Sequence, residues 1–208
     1  MIFQKMYLSE NYDRDKEVLI VGKGPTARFV DKSNDYYVAC LNQSGRLCEK
    51  IDFQFVGDQK PFEDMMSDYV DRVDNLIFPT KFNQQNTLGD DSMLYVDKVL
   101  PKQIQRYGYT FCGPTVWDCH NIENVMKVSV LCTGELAFFW LLEQGFRKFK
   151  SIGIDINCKN NRRHSIFVNN GDCPDLLNNN LHDGWEELMF SRKLKLVNEY
   201  KANWDLIK

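Results

Sequence analysis

The sequence predicts an α/β fold: a single Rossmann-like domain over residues 1–208, with a mostly parallel sheet flanked by helices. Three observations carry that expectation. Short, continuous apolar runs of strand length are bounded by Gly, Pro and Asn, as expected of strands buried on both faces. These runs alternate with helical stretches, which implies a parallel sheet covered on both sides. The chain has 208 residues, 43% of them hydrophobic, enough for one full core and little more.

Taken in order, Glu17-Val18-Leu19-Ile20-Val21-Gly22 reads as the first buried strand. Lys23-Gly24-Pro25-Thr26 is a tight turn, and Ala27 to Val30 a short helix with Pro25 near its first turn, where a missing N–H costs nothing. Tyr36 to Leu41 is a second strand and Phe53 to Val56 a third, ending at Gly57-Asp58. Lys60 to Arg72 has helical character, and Asn75 to Phe78 is a fourth strand stopped by Pro79. Thr80 to Val116 is polar, rich in turn residues and broken by Gly108, Gly113 and Pro114; it reads as surface loop or as a lid or acceptor-binding insertion. Glu135 to Gln144 is apolar almost all round, hence a buried helix, with Gly145 as its C-cap. Lys150 to Ile156 is a further strand, Asn157 to Leu181 a loop, and Glu186 to Asn203 an amphipathic helix. In such a sheet, ligands meet the carboxyl ends of the strands, so the loops after Val21, Leu41, Val56 and Ile156 are the places to search.

Composition narrows the function classes. Net charge is −3, so the overall balance does not demand nucleic acid, although a basic local surface remains available in the last third, from Lys148 to Lys195. The seven cysteines are odd in number, irregularly spaced and free of Cys-x-x-Cys. Buried free thiols in a reducing cytoplasm account for them better than a disulfide framework or a zinc site. The stretch Met1 to Asp15 is polar and does not read as a signal peptide, and no apolar run nears the roughly 18 residues of a membrane span. A cytoplasmic protein without a transmembrane segment is expected.

Six stretches carry residues suited to chemistry. Gly22-Lys23-Gly24-Pro25-Thr26 follows the first strand, where backbone N–H groups and a helix start favour an anion and Lys23 can neutralise phosphate. It is neither a dinucleotide G-x-G-x-x-G nor a P-loop. Asn42 and Gln43, after the second strand, carry amides that donate and accept at once, suited to a ribose or a base edge. Thr133-Gly134 opens the buried helix, with Thr133 as N-cap and as a second anion or base contact. Asp155 and Asn157 lie at a strand end. His182 precedes the last helix and is the residue type most often used as a general base near neutral pH. Arg162-Arg163-His164 offers a basic contact for an acceptor or anion.

The ordered set of Val18 to Thr26, Cys40 to Gln43, Thr133 to Gly145 and Ile152 to Asn157 resembles the bacterial lipooligosaccharide sialyltransferases. Their corresponding motifs are a strand followed by G-N-G-P-S, a strand ending in C-N-Q, a T-S-G opening a buried helix, and G-I-D-F-Y at a strand end. The resemblance implies a GT-A-like variant of the fold without D-x-D, metal-independent, with no cofactor beyond a nucleotide-sugar donor. It implies that Gly22, Gly24, Pro25 and Thr26 line the nucleotide phosphate and that Asn42 meets ribose or phosphate. Thr133 and Gly134 would hold the base end with Asp155 nearby, and His182 would deprotonate an acceptor hydroxyl. The departures are Lys23 for the motif asparagine, Asn157 for the aromatic, and Val130 where the family has an arginine. They fall on the sugar and leaving-group side, so the donor is expected to be a CMP- or UDP-sugar whose sugar stays open. The acceptor is a glycan, a small molecule or, given the basic last third, a hydroxylated base of viral DNA. Two other readings stay open: an ATP-dependent diphosphokinase like those acting on hydroxymethylpterin, which share G-x-G-P-S, and an inactive nucleotide-binding module.

Overall fold

A computed structural model of the chain describes residues 8, 10–30, 35–79, 92–109, 133–154, 198 and 200–206. Seven strands form one sheet: β1 (Val18–Val21), β2 (Tyr37–Leu41), β3 (Ile51–Phe55), β4 (Val73–Pro79), β5 (Gln105–Tyr109), β6 (Lys148–Ile152) and β7 (Asn203–Leu206). Their order is β5-β4-β3-β2-β1-β6-β7, and every neighbouring pair is parallel. The fold is therefore Rossmann-like α/β, as its apolar strand runs predict. β1 through β5 build outward in one direction, and β6 then joins the other side of β1, which makes the β1/β6 boundary the point where the strand order reverses.

Alternation along each strand divides the core in two. Val18 and Ile20 join Ala39, Phe53, Phe55 and Ile77 on one face, under helix α3 (Thr133–Glu143). Leu19 and Val21 join Cys40, Ile51, Leu76 and Phe78 on the other, under α1 (Gln59–Asp68) and α2 (Ser92–Val99). Helix α3 presents Leu136, Ala137, Phe138, Trp140, Leu141 and Leu142, all buried. It ends in a left-handed Gly145 at φ +98°, with Gly145 N–H donating to Leu142 O and Phe146 N–H to Leu141 O, the paired bonds of a Schellman cap. The cap also turns Phe146 into the core beside Leu141.

The structure departs from the sequence expectation at both sheet edges. Residues 92–109 are not loop: they supply α2 and the edge strand β5. β5 escapes notice because Gln105 and Arg106 are polar, yet Tyr107 and Tyr109 alternate into the core. Asn203, expected to end the last helix, instead opens β7, after a turn at Tyr200–Lys201. Among the described residues this four-residue strand pairs with β6, and Trp204 ties it down by donating Nε1–H to Ser151 Oγ at 2.8 Å. The strand expected to run to Ile156 ends at Ile152, because Gly153 takes φ +71°. Ala27 to Val30, expected as a short helix, belongs to a 3-10 turn at Pro25–Phe29. The helix expected over Lys60 to Arg72 divides into α1 and a 3-10 turn at Val70–Arg72.

Among the described residues, no helix is long and apolar enough to cross a membrane. Cys40 and Cys48 are buried free thiols with their sulfurs 3.6 Å apart.

Candidate functional site

The carboxyl ends of β1 and β6 are held together through glycine. Gly22 N–H donates to Ile152 O and Gly24 N–H to Gly153 O, both at 2.8 Å, and Gly153 N–H donates to Thr26 Oγ1 at 2.9 Å. A Cβ on Gly22 would lie 2.2 Å from Gly153 O, and one on Gly153 would lie 2.6 Å from the Ala27 Cβ. These glycines thus allow two loops to approach each other, a need as strict as that of an approaching ligand. The finding bears on the phosphate role expected for Gly22 and Gly24. Both N–H groups are committed to carbonyls and Pro25 has none, and the one cationic side chain of Gly22 to Thr26 is Lys23.

Lys23 is half-buried, and its Nζ donates to Gln43 Oε1 at 3.1 Å. Gln43 in turn donates from Nε2 to Asp64 Oδ2 at 3.1 Å. Burial lowers the Lys23 pKa, and the charges of Asp58 and Asp64 pull it partly back. Burial pushes the Asp64 carboxyl up, but hydrogen bonds from Lys60 and Gln43, with the positive charges of Lys60 and Arg46, outweigh it and leave the pKa lowered. The Lys60 ammonium lies 2.8 Å from Asp64, and the Arg46 guanidinium 3.6 Å. Asp64 is thus already neutralised by two other cations, while the single hydrogen-bond partner of Lys23 among the described residues is a neutral amide.

Asn42 sits beside this chain in the left-handed region, at φ +52°, where asparagine is better tolerated than most residues. Its Oδ1 accepts from Gly57 N–H at 3.2 Å and its Nδ2 donates to Thr133 Oγ1 at 3.4 Å. Its backbone carbonyl accepts from Gln54 Nε2 at 2.8 Å and from Tyr69 Oη at 2.9 Å. The Thr133 contact brings the start of α3, and with it the positive end of the helix dipole, to the same edge of the sheet. Ser44 closes the turn, donating to Val21 O at 2.6 Å and accepting from Leu41 N–H at 2.8 Å.

The structure therefore brings Gly22, Lys23, Gly24, Thr26, Asn42, Gln43, Thr133 and Gly134 to the carboxyl edge, next to the strand-order reversal. Pro25 lies in the same turn. Asp155, Asn157, Arg162, Arg163, His164 and His182 lie outside the described residues. Sequence reasoning missed Asp58, Asp64, Gln54 and Tyr109. Asp58 was legible as the residue after Gly57 at a strand end. Gln54 carried no signal beyond being polar inside an apolar strand, and is fully buried with Oε1 unpartnered among the described residues. Tyr109 ends β5, and burial, with the Asp58 charge, raises its hydroxyl pKa well above the ordinary tyrosine value. Among the described residues, no group of three or more His, Cys, Asp and Glu side chains is placed to hold a metal ion.

Comparisons with models of known protein families, with curated proteins and with solved structures find no match to this chain.

Proposed function

We propose that the protein is a glycosyltransferase that takes a sugar from a pyrimidine nucleotide donor, a CMP- or UDP-sugar, and passes it to an acceptor hydroxyl on a glycan, a small molecule or a hydroxylated DNA base. The observation that carries the reading is Lys23: a desolvated ammonium at the β1/β6 reversal whose hydrogen-bond partner is a neutral amide. A buried cation is stabilised most by an opposite charge, and a nucleotide phosphate supplies one where parallel α/β sheets bind their ligands. Asn42, Gln43 and Thr133 surround that position with amide and hydroxyl groups suited to ribose and base. His182, as the resemblance implies, takes the proton of the acceptor hydroxyl as the sugar–phosphate bond breaks, and the nucleotide leaves with its negative charge held by Lys23.

The first experiment is a thermal-shift panel of CMP, CDP, UDP, UMP, dTDP and ATP with and without magnesium, since a ligand that binds only the folded state raises Tm. Stabilisation by a pyrimidine nucleotide without metal supports the proposal. Stabilisation by ATP with magnesium alone would replace it with phosphoryl or diphosphoryl transfer, and no shift at all would leave an inactive module as the better reading. Lys23→Met is expected to weaken nucleotide binding by about 10- to 100-fold, the worth of one charged hydrogen bond. The same contact sets a pH dependence. Binding needs the protonated ammonium, whose folded-state pKa is lowered by burial. Affinity should therefore fall as pH rises, and at a lower pH than an exposed lysine would give, and calorimetry should find this fall absent in Lys23→Met. His182→Ala is expected to reduce transfer by about 10²- to 10⁴-fold while leaving nucleotide affinity unchanged; full turnover in that variant would remove the assigned base.

A further inference from the structure

A polar cleft opens at the amino edge of the sheet, opposite the Lys23 site. Its volume is about 660 Å³, within the size range of small-molecule sites, and its walls come from the starts of β2, β3, β4 and β5 together with the segment before β1. We propose that it binds a neutral polyhydroxylated ligand, a monosaccharide or short glycan, through Asn75 and Tyr12.

Asn75 is 2% exposed and lines the cleft. Its Nδ2 donates to Asp52 O at 2.7 Å and to Tyr12 Oη at 2.6 Å, which settles which amide atom is which. The Oδ1 accepts no hydrogen bond from the described residues, so the amide of this cleft-lining residue keeps an acceptor for a ligand donor. Tyr12 is its complement. Its hydroxyl oxygen accepts from Asn75, and its own proton has no acceptor among the described residues. Burial raises the Tyr12 pKa, pushed up to about 12, so the hydroxyl stays a donor at any physiological pH. A fixed acceptor and a fixed donor, both anchored on the Asn75 amide nitrogen, match adjacent hydroxyls of a sugar, each of which donates and accepts.

The charges at the cleft balance one another, which favours a neutral ligand over a charged one. The Lys50 ammonium lies 3.0 Å from Asp52 and 3.8 Å from Asp74. With the Lys16 ammonium 4.8 Å from the Tyr37 ring centroid, two ammonium groups face two carboxylates, so the lining carries no excess charge to favour an anion or a cation. Tyr37 and Tyr107 contribute ring edges to the lining, and Gln103 and Gln105 add two more primary amides. The cleft is separate from the nucleotide site, since one lies at the start and the other at the end of the same parallel strands.

The test is titration of the full chain with methyl β-glucoside, methyl β-galactoside, N-acetylglucosamine and maltotetraose, followed by saturation-transfer NMR and calorimetry. Inorganic phosphate and choline serve as charged probes. At least one saccharide is expected to bind, with an affinity that falls about 5- to 10-fold in Tyr12→Phe, the worth of one neutral hydrogen bond. Asn75→Leu should abolish binding; because it also removes a buried amide, its folding is checked by circular dichroism, and Gln105→Ala on the cleft wall gives a milder second reading. Lys23→Met should leave saccharide affinity unchanged, so failure here and failure of the nucleotide proposal are distinguishable. No binding by any saccharide, phosphate binding that Lys23→Met leaves intact, preferential binding of choline, or saccharide binding indifferent to both Tyr12→Phe and Gln105→Ala would overturn the assignment.

Discussion

Gly153→Ala is expected to destabilise the folded chain by about 2–5 kcal/mol, a large share of the stability of an ordinary domain. Two independent causes add. Position 153 sits at φ +71°, where an L side chain costs about 1–2 kcal/mol. The new methyl would also lie 2.6 Å from the Ala27 Cβ and 2.7 Å from Gly22 O, and relieving such overpacking costs about 1–3 kcal/mol. The loop after β1 would have to retreat, putting at risk the bond from Gly24 N–H to Gly153 O. Gly145→Ala is the matched control. It has φ +98°, but its Cβ would meet nothing nearer than the Arg14 side chain at 3.6 Å. Its loss should therefore be the conformational part alone, about 1–2 kcal/mol. Urea unfolding of both variants decides the matter, and equal losses would show that the close approach of the β1 and β6 loops is not what requires Gly153.

Phe53→Ala is expected to cost about 3–5 kcal/mol, as for other buried phenylalanines. Phe53 is fully buried at the middle of β3, and its ring centroid lies 5.1 Å from that of Tyr12, 5.6 Å from Phe146 and 5.9 Å from Trp140. One side chain thus joins the sheet, helix α3 and the segment before β1. Truncation removes edge contacts to all three at once, and rings braced by a helix and a sheet cannot close over the space. Phe29→Ala is the contrast, because Phe29 is 69% exposed and its loss should stay within about 0.5 kcal/mol. Denaturant midpoints should separate the two variants with the m-value unchanged. A Phe53→Ala loss below that of a surface change would mean that the aromatic cluster does not organise the core.

Local sequence pattern determined β1 to β4, β6 and α3 to within a few residues. A strand or helix with both faces covered must be apolar nearly throughout, and Val18-Leu19-Ile20-Val21 and Leu136 to Leu142 carry that requirement openly. The Gly145 cap was legible for the same kind of reason, since a left-handed residue at a helix end calls for glycine. Lys23, Asn42, Gln43 and Thr133 could be picked out because each follows a strand or opens a helix. β5 and β7 were hidden because a sheet edge relaxes the demand for continuous apolarity, so Gln105, Arg106, Asn203 and Asp205 are accommodated there. Tertiary structure alone decided how the groups are used. Gly22 and Gly24 commit their N–H groups to residues more than a hundred positions away, which leaves Lys23 as the cation for an anion to meet. The amino-edge cleft gathers Tyr12, Asn75 and Gln105 from separate segments that no local pattern relates. Burial is a property each segment must satisfy for itself, and so it is written along the chain; the pairing of donors, acceptors and close contacts is a property of segments brought together, and arises only when the sheet is assembled.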